Sequence, residues 1–96
     1  MPAYVIADVR DAWDADALGE YRRRNTDAVE RHGGRFVVRG GEVQLLEGEW
    51  DTRRVVVMEF PDMDAARAWW TSAEYEALKP LRRGASDTNI ILVEGV

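Results

Sequence analysis

Ninety-six residues, 46% of them apolar and 32% charged, describe one small domain over residues 1–96, near the lower size at which a chain buries its own core. The longest aliphatic runs, Val55-Val56-Val57-Met58 and Ile90-Ile91-Leu92-Val93, are of strand length and too short to cross a bilayer. The absence of cysteine excludes disulfides, thiolate nucleophiles and cysteine metal sites, and a net charge of −5 spread along the chain argues against nucleic acid as a partner.

In chain order, MPAYVIADVRD carries no basic leader and no long apolar stretch, so a cytoplasmic protein is expected. AYVIADV (3 to 9) is β-branched and apolar and predicts a strand. Asp14 or Asp16 caps a following helix that runs to about His32, and Gly33-Gly34 ends it. Within that helix, Arg22-Arg23-Arg24 point in three directions among Glu20, Asp27 and Glu30, which describes a solvated face. GRFVVR predicts a second strand, Gly40-Gly41 turns the chain into a short extended piece, EVQLLEG, and RVVVMEFP predicts a third strand. Pro61-Asp62 stops that strand and caps a helix over DMDAARAWWTS; Ser72 caps a second piece, AEYEALKPLR, interrupted by Pro80. SDTNIILVEGV is the last strand.

The order β-α-β-β-α-β folds into a four-stranded antiparallel sheet with its helices on one face, the ferredoxin-like arrangement of the α+β class. Residue parity divides the strands into two faces. One collects Ala3, Val5, Ala7, Val9, Phe36, Val38, Val56, Met58, Phe60, Ile90 and Leu92, and belongs under the helices. The other mixes Tyr4, Asp8, Arg35, Arg39, Glu59, Asp87 and Asn89 with Ile6, Val37, Val55, Val57, Ile91 and Val93. That is too much apolar surface for water, and a second copy of the chain, sheet against sheet, is the simplest cover.

The glycine pairs around the only histidine are not a phosphate cradle. Such a loop opens a helix after a strand, whereas Gly33-Gly34 closes a helix before one. His32 sits where an imidazolium complements a helix C-terminus, in register with Leu18, Tyr21, Asn25 and Val29. Glu59 falls on the mixed face of a central strand, where a carboxylate either rises in pKa or finds a cation. Parity makes Arg39 its natural partner, with Arg82 next. Trp69, Trp70, Tyr75 and Leu78 follow helical spacing and read as core; one histidine and scattered acids form no metal cluster. Residues Tyr21, His32, Arg39, Glu59, Tyr75, Arg82 and Asn89 are therefore the candidate wall of a small-ligand pocket between the sheets, suited to a compact organic acid or aromatic.

GGRFVVRGGEVQLLEGEW, RVVVMEFPDMDAARAWWTSAEYEALKPLR and the terminal ILVEGV, with their Gly-Gly spacing, EFP, W-x-x-S-x-x-Y and KPLR patterns, resemble the bacterial family known as domain of unknown function 1330. The resemblance covers nearly the whole chain. It implies the dimeric α+β barrel architecture, a superfamily that includes cofactor-free monooxygenases, lactone isomerases and haem enzymes. It carries no reaction and no catalytic residue over to this chain. Two readings of function follow: a homodimer that binds a small acid or aromatic between its sheets, without a cofactor, as a binder or an enzyme; or a non-enzymatic interaction dimer with no pocket.

Overall fold

The computed structural model describes residues 1–96, in the order β1 (Ala3–Ala12), α1 (Ala15–Arg31), β2 (Arg35–Arg39), β3 (Arg54–Phe60), α2 (Met63–Thr71), α3 (Ala73–Arg83) and β4 (Ser86–Glu94). The strands form one antiparallel sheet in the order β2-β3-β1-β4. All three helices cover the same face, giving a slab 34 × 32 × 17 Å, one sheet and one helix layer thick.

Local chemistry sets the boundaries. Asp14, rather than Asp16, caps α1 by accepting from the Ala17 N–H at 3.0 Å. Gly33, at φ 78°, closes it: its N–H donates to the Glu30 carbonyl, and the Gly34 N–H to that of Val29. This paired closure of the last turn needs the left-handed conformation that glycine adopts without strain. Asp62 caps α2 at the Ala65 N–H, and the Ser72 hydroxyl caps α3 at the Tyr75 N–H. Pro80 does not interrupt α3, which continues to Arg83 because Tyr75, Leu78, Lys79 and Arg82 hold both sides of the proline in buried contacts. The short extended piece expected at EVQLLEG joins no strand of the sheet. Residues 41–52 form no strand and lie as an exposed connection.

The core gathers where parity places it, from Ala3, Val5, Met58 and Phe60 of the sheet against Ala28, Val29, Ala66, Trp69, Tyr75 and Leu78 of the helices. Trp69 is fully buried and tilts against Phe60 at 5.5 Å and Tyr75 at 4.2 Å, centroid to centroid.

One strand departs from strict alternation. Arg35 pairs with Glu59 and Phe36 with Met58, but Val38 then pairs with Val57 and Arg39 with Val56. The extra residue is a β-bulge at Val37, and it exchanges the two faces for the rest of β2. Val38, expected under the helices, faces the open side, while Arg39 turns under the helix layer. The predicted Arg39–Glu59 partnership is therefore corrected, and Arg82 is no partner of Glu59 either. Glu59 instead accepts from the Tyr4 hydroxyl at 2.8 Å and from Arg35 Nε at 3.1 Å. Those contacts, the Tyr4 hydrogen bond first and the Arg35 hydrogen bond next, hold its carboxyl below the usual range rather than above it.

A double-mutant cycle separates the two pairings. Arg35→Ala with Glu59→Gln will be non-additive in urea denaturation, whereas Arg39→Ala with Glu59→Gln will be additive. Because the folded pKa of Glu59 is depressed, its stabilisation is complete above the unfolded carboxylate pKa. It disappears as pH falls through the lower folded value, so the wild-type advantage over Glu59→Gln must fade on acidification.

Candidate functional site

Small side chains leave a gap between the sheet and α1. Ala7, Val9 and Ala12 of β1 lie opposite Leu18, Tyr21, Arg22 and Asn25, and the space between them is a cavity of about 90 Å³, open on one side. Its apolar wall is completed by Phe36, Val56, Met58 and Ile90, and its polar wall by Arg39, Arg54, Arg82, Ser86 and Thr88. No aspartate, glutamate, histidine or cysteine contributes. Ligand sites for drug-sized molecules run to about 300–1,000 Å³, so the space suits a compact ligand of a few heavy atoms.

Four guanidiniums therefore meet at this cavity, and none forms an ion pair, although six other basic residues do. Arg39 lies with its guanidinium carbon 3.7 Å from the Phe36 ring centroid and donates to the Arg22 carbonyl at 3.0 Å. Arg54 occupies the space beside Gly40, where any side chain would collide with the guanidinium. Burial, then the neighbouring charges of Arg54 and Arg22, lowers the pKa of Arg39; burial, then Arg22, lowers that of Arg54. In both, burial is the larger cause and the positive neighbours add to it.

Arg82 is 7% exposed and has no carboxylate partner. It stands in the last turn of α3, where the helix dipole favours a cation. That effect is worth about 0.3–1 kcal/mol, up to about 2, against a desolvation cost of several kcal/mol for a buried ion. The dipole alone does not balance it. Arg82 Nε donates to the Tyr75 hydroxyl at 3.3 Å, and the Tyr75 and Tyr21 hydroxyls are 2.7 Å apart. Burial, then the neighbouring Tyr75, raises the Tyr21 pKa well above its ordinary value, so Tyr21 stays protonated at neutral pH.

The residues predicted for the pocket separate into two groups. Tyr21, Arg39 and Arg82 line the cavity, with Tyr75 directly behind Tyr21. His32 lies outside it at the end of α1, its Nδ1 donating to the Ala28 carbonyl at 2.8 Å. Glu59 and Asn89 stand on the opposite, open face of the sheet. This space is on the helix side of the sheet and is distinct from the one expected between the mixed faces of two copies. Sequence reasoning also missed Arg22, Asn25, Arg54, Ser86 and Thr88. Asn25 carried a signal, being the one amide in the apolar stripe Leu18-Tyr21-Asn25-Val29, and Arg54 shares parity with Val56 and Met58.

A second groove of about 140 Å³ runs between α2 and the edge strand β4. It is lined by Val5, Trp69, Trp70 and Leu92, with Arg67 its one polar residue, and offers little to orient a ligand. No group of three or more His, Asp or Glu residues is placed to hold a metal ion, and no helix is long and apolar enough to cross a membrane.

The fold is ferredoxin-like α+β, shared with solved structures over almost the whole chain. A protein of unknown function from Rhodopseudomonas palustris superposes at TM-score 0.78 with 23% identity, covering 99% of this chain and 82% of that one. A dimeric ferredoxin-like protein of unknown function from Jannaschia sp. CCS1 gives 0.79 at 10% identity, covering 99% and 100%. SnoaB, a cofactor-independent oxygenase from Streptomyces nogalater, gives 0.62 at 19% identity, covering 99% and 91%. No curated protein matches the sequence. The chain belongs to the family described as domain of unknown function (DUF1330), which it matches over residues 2–96.

Crowded, unpaired charge makes a stability prediction. In the absence of ligand, Arg54→Gln will raise the denaturation midpoint at low ionic strength, by about 0.2–1 kcal/mol, the scale of partly exposed charge pairs. The difference will shrink in 0.5 M sodium chloride as the repulsion is screened. A variant less stable than wild type at both salt concentrations would show that the guanidinium is compensated within the chain.

Proposed function

We propose that the chain binds a small organic acid in the cavity beneath α1, the carboxylate against the guanidiniums and the acyl body on Val9, Val56 and Ile90. The observation that carries this reading is the set of four arginines, one of them buried, gathered without a counter-ion in a protein of net charge −5. With 18 acidic residues in the chain, structural pairing would have been easy to supply. A wall without carboxylate, histidine or thiol supports binding and stabilisation of negative charge rather than general-base chemistry.

The same proposal includes a homodimer through the open sheet face. Val38, Ile91 and Val93 are exposed there beside the half-buried Ile6, Val55 and Val57. The dimeric ferredoxin-like relative is consistent with that assembly.

The test of the acid site is thermal denaturation with pentanoate in a weakly coordinating buffer. At ten times its Kd a ligand adds about 1.4 kcal/mol, roughly 7 °C in Tm for a chain of this size. Arg39→Ala/Arg54→Ala must lose the shift while keeping the fold; an equal shift in the variant overturns the site. For the dimer, sedimentation at micromolar concentration should give twice 10.9 kDa, and Ile91→Asp should give the monomer. A wild-type monomer under those conditions overturns the assembly and leaves the cavity, which lies within one chain, unaffected.

A further inference from the structure

Hydrogen-bond direction on the floor of the cavity is fixed from behind. The Trp69 indole N–H can only donate, and it does so to Asn25 Oδ1 at 3.0 Å. Asn25 is 2% exposed, so its carbonyl end is committed to the core and its NH₂ end is turned the other way, toward the cavity it lines. No protein group accepts from that NH₂.

A parallel argument orients Tyr21. Arg82 Nε also can only donate, so the Tyr75 oxygen accepts from it. Tyr75 is fully buried, and its own proton has one oxygen within reach, that of Tyr21 at 2.7 Å. Leaving that proton unpaired would cost more than any competing arrangement gains. Tyr75 therefore donates to Tyr21, whose oxygen also accepts from Arg82, and the Tyr21 hydroxyl hydrogen is left to point into the cavity. Tyr21 and Asn25 stand four residues apart on α1, one turn of the same face.

We infer that Tyr21 and Asn25 form a neutral, donor-only receptor beside the arginines, so that the ligand is a compact oxo acid whose carbonyl oxygen they bind. This rests on the acid-site reading and adds what that reading lacks, selection for a second acceptor. Trp69 and Tyr75 are positioning residues: neither meets the ligand, and each fixes the polarity of one that does. A hydroxyl or amide without such backing would turn to suit any partner. Here a donor on the ligand meets another donor, and an apolar chain leaves both floor groups unpaired, as a site built for hydrogen bonding rejects an analogue that lacks the group.

The matched probes are pentanoate, 2-oxopentanoate and 4-oxopentanoate, equal in charge and chain length, titrated by NMR. One of the oxo acids is expected to bind wild type roughly three- to tenfold tighter than pentanoate, the worth of an ordinary hydrogen bond. Tyr21→Phe should shrink that preference to within about twofold, read as the ratio of oxo-acid to pentanoate affinity in the same variant. In unmodified wild type, the Asn25 side-chain amide resonance should shift with the preferred oxo acid and stay in place with pentanoate, a readout that needs no variant. If all three acids bind equally and the arginine variant abolishes binding, the donor floor is overturned and the acid site stands. If none binds at tens of millimolar, the acid site fails and the floor fails with it.

Discussion

The indole of Trp69 is where the helix layer and the sheet are joined. It comes from α2, stacks against Phe60 of β3 and Tyr75 of α3, and hydrogen-bonds to Asn25 of α1. Its burial is complete, so the N–H must have a partner, and the partner it takes fixes the rotation of α1 about its axis. That rotation sets which residues of α1 look down on the sheet: Leu18, Tyr21, Arg22 and Asn25. Apolar packing alone would allow the helix to roll by a residue. A single oriented polar contact inside an apolar cluster removes that freedom, and the cavity beneath α1 follows from it.

The bulge at Val37 is the second determinant, and it explains what the sequence did and did not reveal. Element order, the caps at Asp14, Asp62 and Ser72, the glycine closure of α1 and the two faces of β1, β3 and β4 were all legible, because each rests on chemistry within a few residues or on unbroken alternation. Arg39 was misplaced because parity assumes no inserted residue, and the Phe36-Val37-Val38 stretch within RFVVR contains no proline, glycine or charge to mark where the extra one sits. The bulge is defined only by pairing with β3, a partner about twenty residues away. One residue of register moved the Arg39 guanidinium from one face of the sheet to the other. The continuation of α3 through Pro80 has the same origin, since tertiary burial on both sides of the proline outweighs a local preference to stop.

The two faces of the sheet divide their electrostatics accordingly. On the open side Glu59 is satisfied within the chain by Tyr4 and Arg35, and on the helix side the arginines have neutral hydrogen-bond partners but no carboxylate. Arginine supplies 12 of the 13 basic residues, yet the contrast is not one of composition, because Arg24, Arg31, Arg35, Arg53 and Arg67 all find acids. Arg10, Arg23 and Arg83 also lack an ion pair, but only at the cavity do four unpaired arginines gather in one place. Holding like charges together in a small domain works against its stability, and such strain persists where something outside the chain relieves it.

Taken together, these features make the cavity independent of any assembly. The strands that contribute to its wall present different residues to the open face: Ala7 and Val9 inward against Ile6 and Asp8 outward on β1, Val56 inward against Val55 and Val57 on β3. A second copy on the open face would touch the same strands through the other side of their pleat, altering backbone rigidity without adding a side chain to the ligand. The proposed binding site and the proposed dimer interface are thus separable by mutation. That follows from strand geometry, since period-two alternation lets one strand serve two surfaces whose side chains never meet.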